Sequence, residues 1–144
     1  MDQLAGRSFK LDKEIDMAEE RKTILIVEDE PDTTTYLSTL LGDAGYNTVQ
    51  AEDGDQALDR VKASRPDLIT LDISMPKKSG VRFYRDMKES DEWKGIPIVI
   101  VTGLSSDFEK FISTRRHVPA PEGYVSKPID KEQMLSLIQA QIGS

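Results

Sequence analysis

Four short apolar runs in this chain of 144 residues stop at groups that can do chemistry. Ile26-Val27 leads into Glu28-Asp29, Leu71 into Asp72, Ile100-Val101 into Thr102, and Tyr124-Val125-Ser126 into Lys127. A fold that brings those ends to one rim makes three carboxylates, a hydroxyl and an ammonium converge. Clustered carboxylates repel one another. A hard divalent cation relieves the repulsion, since Mg²⁺ takes oxygen ligands, keeps several waters and pairs with phosphate. Asp29 and Asp72 then read as direct ligands, and Glu28 as an outer-shell or water-mediated one. With the cation in place Asp72 is the best-positioned nucleophile, because carboxylates attack phosphorus to give aspartyl-phosphates. Lys127 supplies positive charge to the phosphoryl oxygens and Thr102 a hydroxyl donor. Positioning and charge neutralisation do most of the work in phosphoryl transfer.

Bringing those ends together calls for a parallel sheet. From Lys22 onward, apolar runs alternate with amphipathic stretches five times. The strand-like runs are 24–27, 46–51, 68–71, 96–101 and 123–126. The first, third and fourth are nearly continuous Ile, Leu and Val, as in strands covered on both faces. The second mixes polar and apolar residues and the fifth is brief, which puts both at sheet edges. Between them, Leu37, Leu40, Leu41 and Ala44 recur at helical spacing, with Gly42 and Gly45 near the stop. Ala57, Leu58 and Val61 mark a second helix, ended by Arg65-Pro66, and Val81, Tyr84 and Met87 a third. Ser106 with Glu109 makes a capping box for a fourth, whose face is Phe108, Phe111 and Ile112. Met134, Leu135, Ile138 and Ile142 mark a fifth. Five βα units in one domain of this length imply a doubly wound α/β sandwich. Strands 1 and 3 then adjoin at the topological switch point, where ligands sit beyond the carboxyl ends of the strands.

The size suits one domain with a real hydrophobic core. Apolar residues make 38% and charged residues 31%, the ordinary balance of a soluble globular protein. The formal net charge of −7 argues against direct nucleic-acid binding, which needs a basic face. The lack of cysteine excludes disulfides, thiolate metal sites and cysteine nucleophiles. No run fits a signal peptide or approaches the ~20 apolar residues of a membrane helix, so a cytoplasmic protein with no membrane contact is expected. Residues 1–21 are polar and charged, with Leu11, Ile15 and Ala18 at loose helical spacing. They read as an N-terminal extension, flexible or a short helix, ahead of a single domain over 22–144.

The motifs together resemble the receiver domain of two-component response regulators, over about residues 22–142. The resemblance rests on Glu28-Asp29, on Asp72 with Met75-Pro76 and then Gly80, on Thr102-Gly103, and on Lys127-Pro128, in the family's order. It implies a flavodoxin-like (βα)5 three-layer sandwich with sheet order 2-1-3-4-5. It also implies that Asp72 is the phosphoacceptor, that Glu28 and Asp29 are the metal-binding acidic pair for Mg²⁺, and that the Ser74 backbone carbonyl is the third protein ligand. Thr102 matches the switch hydroxyl and Tyr124 the aromatic switch. Ser74 and Leu104 match two variable positions that tune dephosphorylation. The phosphoryl group would arrive from a sensor histidine kinase or a histidine phosphotransfer protein. The activity would be regulatory, limited to the chain's own phosphorylation and dephosphorylation.

Plainer readings stand beside these. A lone acid at a strand end, such as Glu28, is most often a solvated terminus. Tyr124 reads equally as core packing, Pro128 as turn punctuation, and Trp93 as a lid over a local apolar patch. Arg115-Arg116-His117 suits the last turn of a helix, where cations are favoured. The segment Val118-Pro119-Ala120-Pro121 cannot be helical throughout, so a short or irregular fourth helix is expected, and a monomer or weak dimer. No output domain follows the fifth helix before Ser144, so output through a protein partner or a phosphorelay is expected of a stand-alone module. Two rivals remain. One is a pseudo-receiver that acts by interaction alone. The other is an aspartyl-phosphate hydrolase of small phosphoesters, which needs a second acid where Ser74 stands.

Overall fold

The structure is a computed structural model that describes residues 21–75, 79–103 and 119–143. Its elements run β1 (Thr23–Val27), α1 (Pro31–Asp43), β2 (Asn47–Ala51), α2 (Gly54–Ala63), β3 (Leu68–Asp72), α3 (Ser79–Glu89), β4 (Ile98–Thr102), β5 (Gly123–Ser126) and α4 (Lys131–Ile142). All four strand pairings are parallel, in the order β2-β1-β3-β4-β5. This is the order expected, with the polar second strand and the brief fifth at the edges. The stretch expected as a fourth helix, with its Ser106–Glu109 box, lies outside the described residues. So do Leu104, Pro76, the Arg115-Arg116-His117 run and residues 1–20. The helix labelled α4 is the fifth of the expected helices.

Period-2 alternation along buried strands builds three layers. Leu25, Val27, Ile69, Leu71, Ile98 and Ile100 face one side, against Ala57 and Val61 of α2 and Phe83, Tyr84 and Met87 of α3. Ile24, Ile26, Leu68, Val99 and Val101 face the other, against Leu37, Leu40 and Leu41 of α1 and Met134 and Ile138 of α4. β3 and β4 are buried at every position, whereas β2 exposes Val49 and Gln50. Trp93 packs partly buried against the first of these cores, as a lid should.

Local chemistry sets where the elements begin. Asp53 caps α2 by accepting from the Gln56 amide at 2.8 Å, and Asp130 caps α4 by accepting from Gln133 at 3.0 Å. α1 opens on Pro31, whose missing N–H costs nothing in the first turn. Tyr46, expected in β2, instead closes α1 by donating its amide to the Leu41 carbonyl, so the strand begins at Asn47. β4 likewise starts at Ile98 rather than at 96. The Ile96 amide turns back to Trp93, and Pro97 has no N–H for the ladder.

One glycine matters to the site. A Cβ on Gly80 would lie 2.6 Å from the Asp72 carbonyl oxygen, so only glycine lets the first turn of α3 press against the end of β3.

Candidate functional site

The strand ends meet at one rim, as the sheet order requires. β1 and β3 pair through Val27–Leu71, and β3 and β4 through Asp72–Val101, so Glu28 and Asp72 leave adjacent strands at the same level and Thr102 follows one residue further along β4. Across the last pair, Thr102 stands opposite Ser126, and the Lys127 amide donates to the Thr102 carbonyl at 2.8 Å. That bond delivers Lys127 to the rim. The peptide that follows it, Lys127-Pro128, is cis.

Lys127 reaches three carboxylates. Its Nζ lies 2.8 Å from Glu28 Oε1, 3.2 Å from Glu30 Oε1 and 3.3 Å from Asp72 Oδ2. The other Asp72 oxygen, Oδ1, accepts from the Ser74 amide at 2.8 Å and from its hydroxyl at 2.5 Å. Ser74 therefore holds the Asp72 carboxylate in one orientation. Glu28 Oε2 accepts from the amides of Asp29 and Glu30, at 3.1 and 3.3 Å, in the turn that leads into α1.

Glu28 corrects the plain reading of a strand-end acid. Its residue is 2% exposed and Asp72 is 1% exposed, while Asp29 and Glu30 face solvent. Burial pushes the Glu28 carboxyl up to about 8, and the neighbouring Asp72 carboxyl adds to the rise against the opposing pull of Lys127. Burial pushes Asp72 upward too. The hydrogen bonds from Glu28 and Ser74 and the charge of Lys127 outweigh it, so Asp72 sits below its ordinary value. Lys127 is pushed down by burial, yet its carboxylate neighbours hold its pKa above normal. The two carboxyls titrate as a pair, with burial favouring the proton on Glu28 and the hydrogen bonds and Lys127 favouring the charge on Asp72.

Glu28, Asp29, Glu30 and Asp72 each bring one oxygen to within 4.8 Å of the others. An all-oxygen set that carries more negative charge than one lysine can balance suits a hard divalent cation. Glu30 was not singled out by the sequence reasoning. The signal was present, as a third consecutive acid at the N-cap of α1. Thr102 is 7% exposed, while Tyr124 is partly buried and packed against the core. Ser74, expected to contribute its carbonyl, contributes its amide and hydroxyl to Asp72 in the described contacts.

Comparisons with known proteins agree with this arrangement. Residues 24–139 match the family model described as the response regulator receiver domain. The curated protein Rrf1 of Nitratidesulfovibrio vulgaris is 35% identical over 84% of this chain and 83% of its own. The polar-differentiation response regulator DivK of Brucella anthropi is 32% identical over 85% and 97%. Among solved structures, Vibrio cholerae CheY4 aligns with a TM-score of 0.73 at 30% identity, over 84% of this chain and 98% of that one. The receiver domain of the Pseudomonas aeruginosa sensor histidine kinase PA1611 was solved with a magnesium ion coordinated in its active-site cleft. It aligns at 0.75 with 27% identity, over 86% and 99%. A five-stranded parallel sheet in the order 2-1-3-4-5, an acidic cluster at its carboxyl rim and these matches lead to one assignment: the chain belongs to the response regulator receiver domain family.

Proposed function

We propose that this receiver is a phosphoacceptor switch of two-component signalling that takes its phosphoryl group onto Asp72 from the phosphohistidine of a sensor kinase or phosphotransfer protein. The observation that carries this reading is the Asp72 carboxylate itself. It is buried, held below its ordinary pKa, oriented by Ser74 and faced by the Lys127 ammonium at 3.3 Å. An ionised Asp72 oxygen attacks phosphorus, the O–P bond forms, and the P–N bond to imidazole breaks. The electron pair returns to the imidazole nitrogen, which takes a proton from solvent. Lys127 follows the phosphoryl oxygens as charge builds on them, and the Thr102 hydroxyl donates to one of them.

The oxygen set fits Mg²⁺, with Asp29 and Asp72 as ligands together with the Ser74 carbonyl, and Glu28 in an outer-shell place. When bound, Mg²⁺ neutralises the phosphoryl oxygens and aligns them with the attacking carboxylate. Thr102 and Tyr124 are the switch pair, and phosphorylation shifts the balance between two conformations of the chain rather than creating a new one. Output passes through protein contact or a further phosphoryl relay. The activity is regulatory, in a cytoplasmic setting, carried by one domain over 22–144 that follows the N-terminal extension 1–21.

The direct test supplies a labelled phosphohistidine protein and follows the label by gel. Transfer to this chain in Mg²⁺, lost with chelator, is the expected result. Label that stays on the histidine, with this chain folded, contradicts the proposal and favours a receiver that works by interaction alone.

A further inference from the structure

The strand that delivers Lys127 is the least secured of the five. β5 has four residues, lies at the sheet edge and pairs on one side, with β4; Val125 is its one fully buried residue. A short edge strand with so little apolar surface opens at low cost, and a one-residue slip turns each side chain to the opposite face. Either event takes Lys127 away from Asp72.

At the far end of β5 from the site, the chain is clamped. Glu122, the residue before the strand, donates its amide to the Ile98 carbonyl at 3.0 Å, and its Oε2 accepts from the Ile98 amide at 2.6 Å. Its Oε1 lies 2.7 Å from Lys88 Nζ, whose side chain is 2% exposed. The Lys88 ammonium sits 5.9 Å from the centroid of the Tyr84 ring, one turn earlier on α3. The Tyr84 hydroxyl donates to the Pro119 carbonyl. Two side chains one helical turn apart therefore hold both ends of the Pro119-Ala120-Pro121-Glu122 segment. Its two prolines offer no N–H to a ladder, so side-chain anchors take the place of backbone pairing. α3 is itself fixed at its start, where Gly80 lies against the Asp72 carbonyl.

We propose that Lys88 and Glu122 are positioning residues for phosphoryl acceptance: through Ile98 they set the register of β5, and so place Lys127 beside Asp72 at the opposite end of the strand. The inference rests on the reading of Asp72 as phosphoacceptor for its kinetic consequence, and on geometry alone for its structural one. The acidic cluster stands on β1, β3 and the turn into α1, so the clamp supplies none of its oxygens and reaches it only through Lys127, whose withdrawal leaves the carboxylates with less competition for a cation.

The test compares wild type with Lys88→Met and with Lys88→Met/Glu122→Gln, which removes both charges and leaves no buried ion unpaired. Three quantities are read: hydrogen exchange at the Lys127 amide, Mg²⁺ affinity by calorimetry, and the rate of phosphoryl uptake from phosphoramidate. In Lys88→Met we expect faster exchange at Lys127 and Mg²⁺ affinity that does not fall, since a displaced Lys127 competes less for the carboxylates. Uptake should be slower by about tenfold, inside the ~100-fold that a 1 Å misplacement can cost. The double variant, which keeps an acceptor for the Ile98 amide, should recover most of that rate. Unchanged exchange at Lys127 in the single variant overturns the proposal, as does Mg²⁺ affinity that falls in step with the rate. If Lys88→Met does not fold, the double variant decides alone: exchange at Lys127 as slow as in the wild type supports a register held through Ile98, and exchange markedly faster than in the wild type overturns it. A wild type that takes up no phosphoryl group refutes the Asp72 reading, while the exchange data still judge the clamp.

Discussion

Among the described residues, two lysines face buried or half-buried carboxylates, and the two places are built to opposite ends. Lys88 meets Glu122 one to one, and that carboxylate's remaining oxygen is taken by the Ile98 amide. Lys127 meets Glu28, Glu30 and Asp72 together, with Asp29 close by. The first set is closed in charge and in hydrogen bonds, so nothing is left for a ligand. The second carries an excess of negative charge that the protein does not balance by itself. A balanced pair ties elements together, whereas an unbalanced one is poised to take up a cation and then a phosphoryl group.

The contrast breaks first at Lys127. Lys127→Met removes the ammonium that faces Asp72, and phosphoryl uptake should fall by about 10²-fold, in the range seen when one preorganised charge donor is lost. Mg²⁺ affinity should rise in the same variant, because a competing cation is gone; paired uptake kinetics and calorimetry check both halves. Lys88→Met should act first on the fold. Stability falls by about 2–3 kcal/mol in urea unfolding, below the full cost of breaking a buried pair because Glu122 keeps some access to water, uptake slows less than in Lys127→Met, and Mg²⁺ affinity does not fall.

Smaller effects sharpen the same comparison. Glu28 keeps its proton to about 8, against an ordinary value of 4.5, so Mg²⁺ binding must displace it. Apparent Mg²⁺ affinity should rise by roughly 50-fold between about pH 6 and pH 8 and level off above about pH 9, read by calorimetry. The sign for metal-free stability is opposite. Between 4.5 and about 8 the folded state holds a proton that the unfolded chain has lost, so stability falls as pH rises through that window. Asp72, held below its ordinary value, contributes stability that is lost only as pH falls through its folded value. The smallest effect belongs to Glu30→Gln. Its side chain is 61% exposed, and Mg²⁺ affinity should drop by roughly threefold, the size of an exposed ion-pair contribution.

The sequence announces the rim and conceals the clamp, and the reason is physical. Strand identity and edge position follow from how many faces a strand buries, so the continuous apolar runs at β1, β3 and β4 and the mixed run at β2 were legible one residue at a time. Their ends were less so, because Tyr46 and Ile96 are apolar yet spend their amides on turns. The site residues were legible because each one terminates an apolar run, and parallel order brings terminations together. Glu28 was underestimated: its burial comes from the turn into α1 and from Lys127, 99 positions away, which no local pattern carries. Lys88 and Glu122 are 34 positions apart, and each looks like an ordinary surface charge in its own window. Only packing shows that they meet.

The central claim is that Asp72 receives the phosphoryl group with the help of a divalent cation. Intact mass after incubation with a small phosphodonor, with and without Mg²⁺, on wild type and Asp72→Asn tests it most directly. The account predicts one phosphoryl adduct on the wild type in Mg²⁺, none with chelator and none on the variant. An adduct that persists on Asp72→Asn, or a folded wild type that takes none, would contradict it.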